Sequence, residues 1–474
     1  MNNTYEKDVF VAGGGISGLA SAHFLQKSNL SVLVMEKENR FGGSIQTVRK
    51  DGFLIEYGPN STLDTSPIIH ELFADVGIED QMEYASEESN NRYIMRDGQL
   101  NALPMGPIAF LKTPHFSPAA KFRLLKEPFI KPSDPETEES LADFVIRRLG
   151  KEFLDYAIDP FVAGVYAGVP EELSVKSGFP KLYALEQKYG SLIKGAVLGA
   201  RERKRRAEKS KQAARLFSFA GGMESMIQAL TNKLQDSLLP GSSIRNIQRL
   251  GDFWEIKIAS PDGEKRVKAG NILMTIPATC YGQLEIDTFE PIQRILSPIY
   301  HPPVTMVYFG YRHNPAKRAL DGFGFLIPRK EKRNILGTIW SSTIFKNRAP
   351  ESGIALTTFM GGTRQPENAL LREENIINLV KNDLKSILGI ATHPDMIAIK
   401  IWPEAIPQYN LGHQHIINQL ELFEKNNPGL YISGNFRGGI SVGDCIKQAK
   451  TMAESITKEQ MSRPSPRIQN EIQT

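Results

Sequence analysis

One segment constrains the fold more than any other: Val9-Phe10-Val11-Ala12, followed by Gly13-Gly14-Gly15-Ile16-Ser17-Gly18-Leu19-Ala20. The short apolar run suits a strand buried on both faces. Gly13 then permits a tight turn, Gly15 lets backbone approach a pyrophosphate, and Gly18 lets a helix press on the strand. The N-terminus of that helix faces the phosphate charge. A second apolar strand over residues 31–35 ends in Glu36, 23 residues after Gly13, where a carboxylate suits a ribose 2′-hydroxyl. Glycines alone also mark ordinary loops. Strand, turn, helix, strand and terminal acid in register point instead to a Rossmann-like α/β nucleotide domain.

Composition narrows the class. A chain of 474 residues suggests two or three domains with ample core. With 57 Lys+Arg against 53 Asp+Glu, the formal charge of +4 does not call for a nucleic-acid partner. Only Cys280 and Cys445 are present, too few for a disulfide framework or a cysteine metal site, so a reducing, cytoplasmic setting is expected. The polar N-terminus lacks a leader pattern, and no uncharged run reaches membrane-spanning length, which predicts a soluble or peripheral protein.

Three further segments belong with the first. Arg40-Phe41-Gly42-Gly43-Ser44 follows the second strand; its paired glycines admit close backbone, and Arg40 is either a phosphate partner or an exposed arginine in a plain turn. Residues 430–433 read as a strand, Gly434-Asn435 as its turn, and Gly438 to Cys445 as a glycine-rich entry to a helix. Asp444 is a candidate either to cap that helix or to bond a ligand. Residues 217–226 lead into a helix, with strands at 243–247, 254–258 and 271–276 after it. The nucleotide domain is thus expected to be discontinuous, over 1–88, 212–290 and 425–460.

Residues 89–211 carry proline-rich loops and then apolar positions at helical spacing, such as Leu141, Phe144, Val145 and Leu149, which predict a mainly helical insertion. Residues 201–211 hold seven basic and two acidic residues, either a solvated face or a contact for anionic headgroups. Residues 291–424 are β-rich and predict a substrate-binding domain. Residues 461–474 read as a disordered tail. No hydrolase, P-loop or metal motif occurs, and the scattered histidines read as polar surface residues.

The glycine segments at both ends resemble the FAD-binding motifs of the amine-oxidase and phytoene-desaturase superfamily. More specific are Gly52-Phe53-Leu54-Ile55-Glu56-Tyr57-Gly58-Pro59, Asn91-Arg92-Tyr93 with Leu103-Pro104, Phe161 to Gly168 followed by Glu172-Leu173-Ser174, and Arg348-Ala349-Pro350 before Gly361-Gly362. Together they resemble the oxygen-dependent protoporphyrinogen oxidases and their coproporphyrinogen-oxidising relatives over nearly the whole chain. The resemblance implies FAD held by Gly13, Gly15, Ile16, Ser17, Gly18, Glu36, Lys37, Arg40, Gly42, Gly43, Ser44, Gly58, Pro59, Asn60, Ile244, Gly434, Val442 and Asp444. It implies substrate contact at Arg92, which would grip a propionate in two places, and at Gly164, in a loop lining a tetrapyrrole cavity. A surface salt bridge and a plain turn are the competing readings of those two. Several relatives carry a larger or charged residue where Asn60 stands, so a second carboxylate contact is not expected there.

The implied reaction removes six electrons from a porphyrinogen in three flavin cycles, with oxygen or another acceptor as reoxidant. No general base is assigned, since the cofactor carries the hard chemistry. The Asn-Arg-Tyr anchor favours protoporphyrinogen IX over coproporphyrinogen III, whose two extra propionates need more cationic partners. An FAD amine oxidase, a carotenoid desaturase and a non-catalytic protein of the same architecture are the alternatives. Peripheral attachment to the inner face of the cell membrane and a homodimer are candidate associations.

Overall fold

Val9–Ala12 and Val32–Met35 are wholly buried, and their continuous apolar character places them at the centre of a parallel sheet with both faces covered. A computed structural model describes residues 4–104, 106–206, 214–284 and 289–462. The first sheet has seven strands in two parts. Leu238–Leu239, Val32–Met35, Thr4–Ala12 and Gly263–Met274 run parallel in that order. Beyond Gly263–Met274, the strand Leu430–Ile432 pairs in parallel with its last residues, while Phe253–Ser260 and Ser243–Leu250 continue from its first half as an antiparallel meander. The helices Ile16–Lys27, Glu224–Leu234 and Val442–Ser462 supply the core of one face, through Leu19, Phe24, Leu230 and Ile446. The other face buries Trp254, Tyr281, Phe289 and Leu420. Segments from both ends and the middle of the chain therefore build one sheet.

A second seven-stranded sheet runs Met396–Trp402, Val304–Tyr311, Ile354–Gly361, Ile335–Trp340, Gly324–Leu326, Arg92–Arg96, Gln99–Ala102. Every pair is antiparallel except Gly324–Leu326 with Arg92–Arg96. Helix Glu373–Leu388 covers one face, where Ile376, Val380 and Leu384 pack on Val307, Phe309, Tyr93 and Met95. The expected division of 89–211 from 291–424 thus cuts a sheet: the hairpin 92–102 belongs with the strands of 291–424, and the α-helices of the insertion begin at Pro107–Lys112. The cause is a non-local pairing that leaves no trace in periodicity. Helix Val442–Ser462 also takes in the first two residues of the expected tail. Residues 463–474, and the side chains of the whole basic run at 201–211, lie outside those described.

The second sheet is tied to strand Leu216–Phe219, which lies in a separate three-stranded sheet, by a buried arginine. Arg348 is 2% exposed; its Nη2 donates to Ser218 Oγ at 2.9 Å and Phe219 O at 3.0 Å, on the nucleotide side. Its own carbonyl accepts from Leu54 N–H and Tyr308 Oη–H, both at 3.1 Å. Nearby, buried Glu56 accepts from Thr47 Oγ1 at 2.6 Å and Met223 N–H at 2.8 Å. Burial pushes its carboxyl up to about 7 despite those bonds. A proton is thus held more tightly in the fold than in the unfolded chain, so stability from this group is greatest at low pH and declines as pH rises through about 7. Glu56→Gln should melt close to the parent at about pH 5 and a few degrees above it at about pH 8; thermal melts at the two pH values check this.

Candidate functional site

The first glycine turn behaves as steric rules require. Gly13 has φ +107°, and a Cβ there would lie 2.9 Å from Thr275 Oγ1; at Gly18 it would fall 1.9 Å from Gly13 O. At Gly15, by contrast, nothing lies within 4 Å of a Cβ. The open position coincides with the start of helix Ile16–Lys27, whose first turn has neither a side-chain cap nor an acidic residue. The N–H groups of Ile16, Ser17 and Gly18 are therefore left for an external anion. Glu36 is aimed by the same turn: its Oε2 accepts from Gly14 N–H at 2.7 Å and its Oε1 from Glu38 N–H at 2.9 Å, leaving a lone pair on each oxygen for a ribose. Lys37 is exposed beside it.

The second glycine cluster docks onto the first. Gly42 N–H donates to Gly14 O at 2.8 Å, and a Cβ on Gly43 would sit 3.5 Å from Gly15 Cα. Arg40 turns back on its own segment. Its guanidinium donates to the carbonyls of Phe41 at 3.1 Å and Ile45 at 3.2 Å, and also to Gly43 O, so it braces its own turn. Exposed Ser44 presents its carbonyl to Gly58, where a Cβ would come within 1.9 Å. Pro59 and Asn60 follow, with Asn60 Nδ2 donating weakly to Gly58 O at 3.4 Å. Ser242 N–H donates to Glu36 O at 2.8 Å, which carries Ile244, at a β-bulge, alongside the acid.

The far end of the chain closes the site. Gly443 N–H donates to Thr62 Oγ1 at 3.3 Å, bringing the start of helix Val442–Ser462 against the segment that holds Gly58, Pro59 and Asn60. Gly434 begins the turn before it. Asp444 serves the helix: its N–H donates to Ser441 Oγ at 3.1 Å, Ser441 Oγ–H donates back to its Oδ2 at 2.6 Å, and Lys447 Nζ donates to Oδ1 at 2.5 Å. Ser441 caps the helix, and Asp444 accepts back from its hydroxyl. The cradle of open backbone at Gly15, uncapped N–H groups and flanking acid fits a flavin dinucleotide.

Arg92 and Gly164 come together on the second sheet. Cross-strand partners share a face, and Tyr93 and Met95 face the helix-covered core. Arg92 and Ile94 therefore face the other way, with their partners Gly324 and Leu326 and, across the sheet, Gly337, Ile339 and Phe359. Leu326, Ile339 and Phe359 stay half-buried. On that face lies helix Asp159–Tyr166, where a Cβ on Gly164 would meet Leu326 Cδ2 at 2.3 Å. Gly164 thus also sets how closely helix and sheet approach. Phe161 and Val165, on the same side of the helix, are 41% and 43% exposed. Arg92 is exposed, with its guanidinium 5.6 Å from the Phe323 ring, and it forms no ion pair among the described residues. Three residues absent from the sequence reading tie these parts together: Trp402 Nε1 donates to Tyr57 O at 3.0 Å, while Gln408 and Tyr409 bridge helix 159–166 to the Gly434 turn. Their only mark in sequence is an aromatic and proline run at 402–409.

The family model for flavin containing amine oxidoreductases matches residues 16–457. The chain belongs to that family. As a member it is an FAD-dependent oxidoreductase, and its relatives include protoporphyrinogen oxidase 2, chloroplastic/mitochondrial, of Arabidopsis thaliana, 32% identical over 95% of this chain and 94% of the relative. Coproporphyrinogen III oxidase of Bacillus subtilis is 28% identical over 94% and 97%. A solved structure from Exiguobacterium sp. 255-15, provisionally described as a protoporphyrinogen oxidase, superposes with a TM-score of 0.80 at 25% identity, covering 96% of this chain and 99% of that one.

The two kinds of glycine separate in a test. Gly15→Ala places its methyl in open space, so the apoprotein should melt as the parent does while retaining at least about tenfold less FAD. Gly18→Ala meets backbone, so both melting temperature and flavin retention should fall. Differential scanning fluorimetry with flavin titration distinguishes them.

Proposed function

We propose that the chain oxidises a porphyrinogen to the porphyrin, with protoporphyrinogen IX as its preferred substrate. The observation that carries this reading is Arg92: a guanidinium with no carboxylate partner among the described residues, at the rim of an apolar floor made by Leu326, Ile339 and Phe359, across from Phe161 and Val165. A flat, largely apolar guest with a carboxylate at one edge matches that surface. Bound flavin supplies the redox chemistry, taking two electrons in each of three passes, with molecular oxygen as the reoxidant and hydrogen peroxide as its product. The chain's own work is placement: Arg92 fixes the carboxylate edge, helix Asp159–Tyr166 limits the cavity, and the Gly58 and Gly434 turns hold the two ligands against one another.

The relatives at 32% identity bear the protoporphyrinogen name and those at 28–29% the coproporphyrinogen name, so both substrates enter the test. Porphyrin fluorescence should appear in air with protoporphyrinogen IX at higher kcat/KM than with coproporphyrinogen III; the reverse order reassigns the substrate, and no fluorescence with either refutes the reading. Arg92→Ala should weaken substrate affinity by about 1.5–3 kcal/mol with bound FAD unchanged, and an unaltered KM would remove Arg92 from the site.

We also propose peripheral contact with an anionic membrane surface. No helix among the described residues is long and apolar enough to cross a membrane. Ile108, Leu111, Phe122, Leu125 and Phe129 are all more than 60% exposed, and Lys112, Lys121, Arg123 and Lys126 are interspersed among them, a pairing suited to an interface with acidic headgroups. Co-sedimentation should be stronger with phosphatidylglycerol vesicles than with phosphatidylcholine ones and should drop for Phe129→Asp; equal, weak binding to both would contradict the proposal.

A further inference from the structure

The turn that follows strand Leu430–Ile432 is held from outside its own motif by two stacked rings. Tyr409 Oη–H donates to Asn435 O at 2.8 Å, and the same oxygen accepts from Gly439 N–H at 3.0 Å. His413 Nε2–H donates to Phe436 O at 3.0 Å. The rings lie 4.1 Å apart at 12°, and both residues are about 5% exposed or less. Left-handed Gly412, just before helix His413–Asn426, folds one ring over the other. Three backbone groups of a turn that would otherwise be free to shift are thereby fixed. Buried polar groups held this way resist displacement, because breaking any one bond leaves its partner unsatisfied.

The same segment also grips the wall of the substrate cavity. Gln408 Nε2 donates to Tyr166 O at 2.7 Å, at the end of the helix that carries Gly164, and Tyr409 O accepts from Ser174 N–H at 2.9 Å. Residues 408–413 are therefore wedged between the two halves of the candidate site.

We propose that Tyr409 is a positioning residue that sets the placement of the Gly434–Gly439 turn against the flavin and couples it to helix Asp159–Tyr166. This rests on the reading that the turn borders the flavin. His413 keeps Tyr409 in place by stacking; its ring stays neutral at physiological pH, since burial pushes it down to about 4, and a neutral ring donates from Nε2 alone.

Tyr409→Phe keeps the stack and removes the hydroxyl. In the purified holoprotein it should raise the flavin dissociation constant roughly tenfold, shift the visible flavin spectrum and the flavin midpoint potential, and lower kcat with little change in KM. Tyr93→Phe is the comparison: it deletes a phenolic bond to Asp321 Oδ1, on the helix-covered face of the second sheet and away from the 434–439 turn, and should leave spectrum and potential as in the parent. Unchanged flavin properties in Tyr409→Phe, or equal shifts in both variants, overturn the proposal. Should Tyr409→Phe be poorly folded, His413→Leu, which keeps the Tyr409 hydroxyl but removes both the stack and the bond to Phe436 O, should give a spectral shift of the same sign; no shift overturns it. The flavin readouts need no porphyrinogen, so a failure of the proposed reaction shows separately, as absent turnover by the parent protein.

Discussion

A pyrophosphate can sit against a protein only where backbone N–H groups are uncapped and no side chain stands in front of them. Helix Ile16–Lys27 meets that condition, and much of the fold can be understood as what is needed to keep it met. Gly18 has to lie against Gly13 O, Thr275 has to close over Gly13 from the neighbouring strand, and the Gly42–Gly43 turn has to dock on Gly14. Each contact comes from a different part of the sequence. The discontinuity of the nucleotide half is therefore a consequence of building one anion cradle from several turns.

The second half of the molecule is fastened to the first by buried polar groups rather than by apolar packing alone. Arg348 reaches across to Ser218 and Phe219, and its carbonyl accepts from Leu54 N–H. Such bonds cost desolvation and return little net stability, but they fix one geometry and penalise others. Fixed geometry is what a site needs when its chemistry belongs to a bound cofactor and the protein contributes orientation. The surface carrying Arg92 and the turn carrying Gly58 are parts of that one frame.

What was legible in the sequence was steric and local. Gly13, Gly15 and Gly18 announce their roles because an absent Cβ matters within a few residues, and Glu36 follows at the end of the next strand. Side-chain partnerships were harder. Arg40 braces its own turn because three carbonyls of that turn converge on it, and Asp444 bonds back to Ser441, a cap that competes equally in sequence. Periodicity alone puts the hairpin 92–102 with the helical insertion, because its parallel partner, Gly324–Leu326, lies more than two hundred residues away. Tyr409 and His413 were invisible for a related reason: their value lies in the backbone of another segment.

If this frame holds flavin and porphyrinogen face to face as proposed, the flavin itself must receive the porphyrinogen's electrons. The most direct measurement mixes the oxidised holoprotein with protoporphyrinogen IX under strict exclusion of oxygen and follows the flavin's visible absorption. Bleaching should appear within the first turnover, with recovery and hydrogen peroxide on admitting air. Flavin that stays oxidised beside excess porphyrinogen would contradict it.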